Sequence, residues 1–308
     1  MNQLLLRVLK IYLLIPLAVA FLTLDSLGGF GILKLFPSVP EKLLLFNFFF
    51  NLPHIIASNL LLIDGEVYSQ YGRKISIFFV ASILVTLVFH YYFKTDVFIY
   101  LHSLWTLKHV IMQQFNLSHA YGMKKSVLTH VWKWLGVFAG LIVYWDIYDF
   151  YDFQKMLPFS SVASASLVLL FALTSVYLLI SHRRDKSSLY IFANSSLILV
   201  SFIFYKLGAG FISVLLIRVI HDCTGFIFYQ ALNEGKFKAG KSSRFYAVMT
   251  NNFGSIIGTV LPPILIVVFF FSLPFRKEVI SLLMVLSLMH YFSEGFTWKT
   301  ESPYRKYF

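Results

Sequence analysis

Apolar stretches of about 20 residues recur from one end of the chain to the other, which leaves little choice of architecture. A segment of that length crosses the hydrocarbon layer as a helix, because a helix satisfies every backbone N–H and C=O within its own segment. Charged residues make up 13% of the 308 positions and the mean hydropathy is +0.74. Soluble domains carry about 25% charged residues. No polar block is long enough for a separate soluble domain, so positions 1–308 read as one integral membrane domain, an all-α polytopic bundle. Arg7 and Lys10 precede an apolar run in which Ala18-Val19-Ala20 imitates a signal-peptidase site. The run continues through Phe21-Leu22-Thr23-Leu24, and an uncleaved first span is expected.

Ten spans are expected, at 9–29, 41–64, 75–93, 97–121, 127–147, 158–181, 188–206, 209–232, 250–273 and 278–298. Charge tests the count. With the N-terminus inside, sixteen of the 26 Lys and Arg fall on the inner side, among them Arg73-Lys74, Lys124-Lys125, Arg183-Arg184, Lys236, Lys238, Lys241 and Arg244. The outer run from Asp146 to Asp152 is acidic. Lys and Arg concentrate on the cytoplasmic side of membrane proteins, so both termini are expected in the cytoplasm. The net charge of +12 has the same origin: cations in short loops beside anionic lipid, with no nucleic-acid partner expected. Pro53 in span two and Pro262-Pro263 in span nine predict kinks, since proline removes a helical hydrogen bond and crowds the preceding turn.

Against this apolar background, four of the nine histidines stand out. His54, His109, His221 and His290 each lie within about two residues, or roughly 3 Å, of the centre of spans two, four, eight and ten. The others sit near span ends (His90, His119, His130), one turn inside an end (His102) or in a basic loop (His182). Each central histidine has polar neighbours at helical spacing: Asn51, His54 and Ser58; Trp105, His109 and Gln113; His221, Gly225 and Tyr229; His290, Glu294 and Trp298. Arg218 and Asp222 are spaced i, i+4, as in a structural ion pair, and Lys108 near the middle of span four is expected to snorkel or to meet a carboxylate such as Glu294 or Asp222.

Ionisable groups in the bilayer core are costly and mark function, and imidazole is the commonest metal ligand. His54, His109, His221 and His290 therefore read as ligands of one ion. Iron is the first expectation, with zinc and copper as alternatives. The single Cys223 excludes a cysteine-based metal motif and an intrachain disulfide. Gln113 and Asn51 would orient ligands or substrate, and Glu294 or Asp222 would orient a ligand, relay protons or join the ion. Ser58, Arg218 and Tyr291 would support the ligands from behind. A centre at this depth is open sideways to a lipid or isoprenoid substrate, which suggests a non-haem iron oxygenase or related oxidoreductase in the bacterial inner membrane. Membrane lipids surround it, and any electrons come from a partner, as no flavin or iron–sulfur motif is visible. Three other readings remain open: haem b held by axial histidine pairs, a proton-coupled transporter using intramembrane His, Asp and Glu, and a non-catalytic scaffold.

The blocks Asn51-Leu52-Pro53-His54, Ile220-His221-Asp222 and His290-Tyr291-Phe292-Ser293-Glu294, followed by Trp298-Lys299 and Ser302-Pro303, resemble a family of uncharacterised bacterial multi-pass membrane proteins. More loosely, Pro53-His54 and the central histidines spread over helices resemble the Brp/Blh-type β-carotene 15,15′-dioxygenases. That resemblance implies His54, His109, His221 and His290 as iron ligands and a carotenoid-like substrate. The chain departs from it in one motif: where that family continues Pro-His-Gly with a nearby Asp, this sequence reads Pro53-His54-Ile55-Ile56-Ala57-Ser58.

Overall fold

The computed structural model describes residues 2–29, 31–37, 39–62, 65–92, 95–147, 160–274, 276–297 and 303–307. Trp298, Lys299 and Ser302, and the acidic stretch from position 148 on, lie outside them. Every regular element among the described residues is helical. The long ones are α1 (Asn2–Ile11), α2 (Leu14–Leu27), α3 (Leu52–Leu60), α4 (Gly65–Tyr92), α5 (Thr95–Ala120), α6 (Val127–Ile147), α7 (Ser160–Ser181), α8 (Ser187–Lys206), α9 (Gly210–Lys238), α10 (Arg244–Phe253), α11 (Ser255–Ser272) and α12 (Arg276–Thr297).

Among the described residues, seven stretches are long and apolar enough to cross a membrane: Gln3–Leu27, Gly65–Phe89, Val127–Tyr144, Val162–Ser181, Ser187–Lys206, Gly210–Lys238 and Ser255–Ser272. The remaining three expected spans also fall on helix, in the shorter apolar stretch Leu44–Leu60, in α5 and in α12. These three carry His54, His109, His290 and Glu294; Leu44–Leu60 is apolar but short, while α5 and α12 are long enough and more polar. Several helices outrun their expected spans. The start of α1 lies seven residues earlier, the start of α4 ten residues earlier and the end of α9 six residues later, because a helix can continue past the hydrocarbon edge where its polar end meets headgroups and water. The amphipathic α10 was not expected at all; Ser243 caps it by accepting from the Tyr246 N–H at 3.2 Å.

The expected disturbance at Pro53 takes a specific form. The five residues Asn47–Asn51 make one wide π turn, and α3 starts immediately after it with Pro53 in its first turn. Proline has no N–H to give the preceding turn, and one added residue widens that turn instead of bending the helix at the proline. Asn51 donates from Nδ2 to Asn47 Oδ1 at 3.1 Å and closes the π turn on itself.

The helices form two compact units, residues 45–101 with 222–308, and residues 2–44 with 102–221; α5 and α9 each run unbroken through the division. In the first unit α3 packs on α11 and α12, α12 on α4, and α10 on α11. Its core joins Ala57 of α3, Leu61 just past its end, Val67 of α4, Leu232 of α9 and Met289 of α12 to Tyr304 of the 3₁₀ turn Pro303–Tyr307. The Tyr304 hydroxyl donates to the Leu61 carbonyl at 2.8 Å, satisfying an acceptor that the end of α3 leaves over. Glu66 accepts from the Tyr307 hydroxyl and from Lys241 and Lys306 at the exposed rim.

In the second unit α6, α7 and α8 pack together and α2 lies on α8. Gly136 and Gly140, four apart on α6, admit α5. A Cβ on Gly136 would stand 2.6 Å from Phe115 Cζ, and one on Gly140 would stand 2.5 Å from Ile111 Cδ1. Close approach through small residues is how membrane helices gain packing without a hydrophobic force between them. Trp132 is fully buried beside them and donates to Ser175 Oγ at 3.0 Å. Lys108 meets aromatic faces: its ammonium stands 4.8 Å from the Trp105 ring centroid and 5.7 Å from that of Trp134, within cation–π range.

Candidate metal centre

Segments of α3, α9 and α12 build the centre. On α3, burial is continuous from Pro53 to Ser58. His54 can occupy so packed a position because α9 presents no side chain opposite it. A Cβ at Gly225 would lie 2.1 Å from His54 Cε1 and 2.6 Å from Nδ1. One turn further along α9, the Tyr229 ring stacks on His54, centroids 5.6 Å apart and planes at 24°. On α12, His290 and Glu294 are one turn apart and share a face.

These side chains converge. The His54 and His290 rings lie edge to face with centroids 4.7 Å apart. Glu294 reaches both, Oε1 at 3.9 Å from His54 Nε2 and Oε2 at 3.8 Å from His290 Nε2. Each of the three residues is at most 5% exposed. The unbroken α9 carries His221 next to Asp222, and His221 completes a group of four whose ligand atoms all lie within 4.8 Å of one another. Two nitrogens bound to one ion at about 2.0–2.1 Å can be no more than about 4.2 Å apart. The 3.8 and 3.9 Å pairs meet that limit, and the widest separation needs to close by only about 0.6 Å. Three imidazoles and a carboxylate are a borderline-hard donor set suited to iron, zinc, manganese or copper(II), with no thiolate to favour copper(I).

Neighbouring hydroxyls bear on which atoms a bound ion would meet. Ser58 Oγ lies 2.8 Å from the Ile55 carbonyl and 2.7 Å from His290 Nδ1. In the tautomer that donates Nδ1–H to Ser58, the His290 lone pair is on Nε2, the nitrogen beside Glu294. The Tyr229 hydroxyl donates to Glu294 Oε1. Groups behind metal ligands commonly fix ligand orientation and tautomer in this way.

The other expected site residues distribute as follows. His109 is outside the group of four; in the second unit its ring stands edge-on to His221, centroids 5.3 Å apart and planes at 83°. Glu294, expected as an acid–base group or a further ligand, stands where a fourth imidazole was expected. Asp222 and Arg218 are both buried on α9. Gln113 lies one turn beyond His109 on α5, and its amide oxygen is buried with no hydrogen-bond partner among the described residues. Asn51 closes the π turn that precedes α3, donating to Asn47 Oδ1. Tyr291 lies against the His290 ring at 5.2 Å and accepts from Ser287 at 3.3 Å. Two contributions were not read from the sequence: the seat at Gly225 and the link from Tyr229 to Glu294. Their signal was the i, i+4, i+8 stripe of His221, Gly225 and Tyr229, in which the glycine marks a close approach.

Comparison with known protein families, with characterised proteins and with solved structures found no match to this chain.

Proposed function

We propose that the protein is a membrane-embedded metalloenzyme, a non-haem iron oxidoreductase acting on an apolar lipid or isoprenoid. The observation that carries this reading is the buried convergence of His54, His221, His290 and Glu294. Iron held by such a set supplies dioxygen activation and one-electron chemistry. The chain's own residues do the rest. Ser58 holds His290 in the tautomer that offers Nε2, and burial of all four ligands keeps bulk water away. Asp222, next to His221, is the nearest further carboxylate along the chain for moving a proton, and the Gln113 amide oxygen offers a buried acceptor to a polar group.

Ring geometry favours a bare ion over haem. Imidazoles on opposite faces of a porphyrin keep their centroids about 6 Å apart, given metal–nitrogen bonds of about 2.0 Å, whereas His54 and His290 stand at 4.7 Å. The reading includes ten spans with both termini in the cytoplasm of a bacterial inner membrane, supported by the basic inner loops, and an external electron donor. Metal analysis of the purified protein tests it. About one iron per chain is expected, together with loss of that iron when His54, His221, His290 and Glu294 are all replaced by alanine. A metal-free wild type, or metal retained by the quadruple variant, overturns the proposal. Metal-independent uptake driven by a pH gradient in vesicles would favour transport instead.

A further inference from the structure

A carboxylate binds a metal ion through one oxygen or through both, and the choice sets the ion's coordination number. Nothing in Glu294 itself makes that choice; its surroundings do. Tyr229 is 1% exposed and its hydroxyl donates to Oε1. The ring that carries this hydroxyl has no room to swing away: it stacks on His54 at 5.6 Å and meets Phe226 edge-on at 6.3 Å. Both carboxylate oxygens face an imidazole, Oε1 at 3.9 Å from His54 Nε2 and Oε2 at 3.8 Å from His290 Nε2, and a hydrogen bond to Oε1 draws electron density from that oxygen alone, leaving Oε2 the better donor to an ion. The same phenol ring backs His54, so one residue bears on two of the four ligands.

We propose that Tyr229 is a positioning residue that restricts Glu294 to single-oxygen coordination and thereby sets the geometry of the bound ion. The inference rests on the metal centre described above. It follows that Tyr229→Phe, which keeps the ring and its stacking but removes the donor, frees Oε1 to join the ion.

Cobalt(II) serves as the probe because its visible absorption reports coordination number. The full chain, purified in detergent and stripped with a chelator, is titrated with Co2+ alone. Wild type is expected to take up one Co2+ with intense, low-coordinate bands. Tyr229→Phe is expected to bind about 10- to 100-fold more weakly, the range seen when groups behind metal ligands are removed, and with fainter bands as a second oxygen enters. A merely structural tyrosine would change thermal stability and leave the band shape alone. Identical affinity and spectrum in the two proteins overturn the inference and leave the metal centre standing; failure of wild type to bind Co2+ overturns both. Should the variant not fold, X-ray absorption of cobalt-loaded wild type decides the matter. A carboxylate carbon at the long distance of one-oxygen binding supports the inference, and the short distance of two-oxygen chelation overturns it.

Discussion

Replacing Gly225 with alanine is expected to empty the metal centre and to lower the thermal midpoint of the purified protein. On helix propensity alone the change is favourable by about 1 kcal/mol. Contact reverses the sign. The new methyl would sit 2.1 Å from His54 Cε1, far inside any real carbon–carbon contact, and the imidazole is hemmed by Tyr229 and His290 on its other sides. Overfilling a packed site typically costs about 1–3 kcal/mol. The ring also has to leave the position from which Nε2 faces Glu294, so metal content falls further than stability does. Gly295→Ala is the matched control, because a Cβ there meets nothing within 4 Å. It is expected to bind metal as wild type does and to unfold at the same temperature or slightly above. Metal-to-protein ratios and thermal melts of the two variants, read side by side, check this; a Gly225→Ala protein with full metal content contradicts the geometry.

Glu294→Ala and His109→Ala are expected to part company. Structural zinc sites bind with about 10–16 kcal/mol in all, so one of four ligands represents roughly 3 kcal/mol, or a loss of affinity of about 100-fold or more. Glu294 is one of the four convergent groups, and its removal also leaves the Tyr229 hydroxyl without its acceptor. His109 stands beside His221 and outside that group, so its loss disturbs the orientation of one ligand and removes none. An effect of about 10-fold is expected for His109→Ala, with one ion per chain retained at saturating metal. Competitive titration against a chelator of known affinity separates the two. Equal losses would mean that His109 binds the ion and that the centre has five ligands.

The helical character of the chain was legible from the apolar runs, and among the described residues helix lies within each of the ten expected segments, seven of which hold stretches long and apolar enough to cross a membrane. The histidines were legible for an energetic reason: imidazole deep in an apolar helix is conspicuous. What could not be read was which polar groups meet across helices. His290 and Glu294 are i, i+4 partners and showed themselves as such, but the reach of Glu294 to His54 depends on how α12 lies on α3, which no periodicity encodes. The pairing of Tyr229 with Glu294 is hidden for the same reason. The π turn at Asn47–Asn51 was not legible either, because a period of 3.6 was applied through it. For Lys108, snorkelling or a carboxylate was expected, and the tryptophan faces that the local sequence supplies were not considered.

The wide turn at Asn47–Asn51 divides its neighbourhood into two stretches with opposite tolerance to changes in length. Loss of one residue there converts the turn to ordinary helical winding and leaves the flanking stretches in phase. Loss of one residue only a few positions later, between Leu52 and Ser58, would rotate everything upstream against everything downstream by about 100° and uncouple His54 from Ser58. In natural variants of this protein, insertions and deletions should therefore collect before Pro53 and stop abruptly at it.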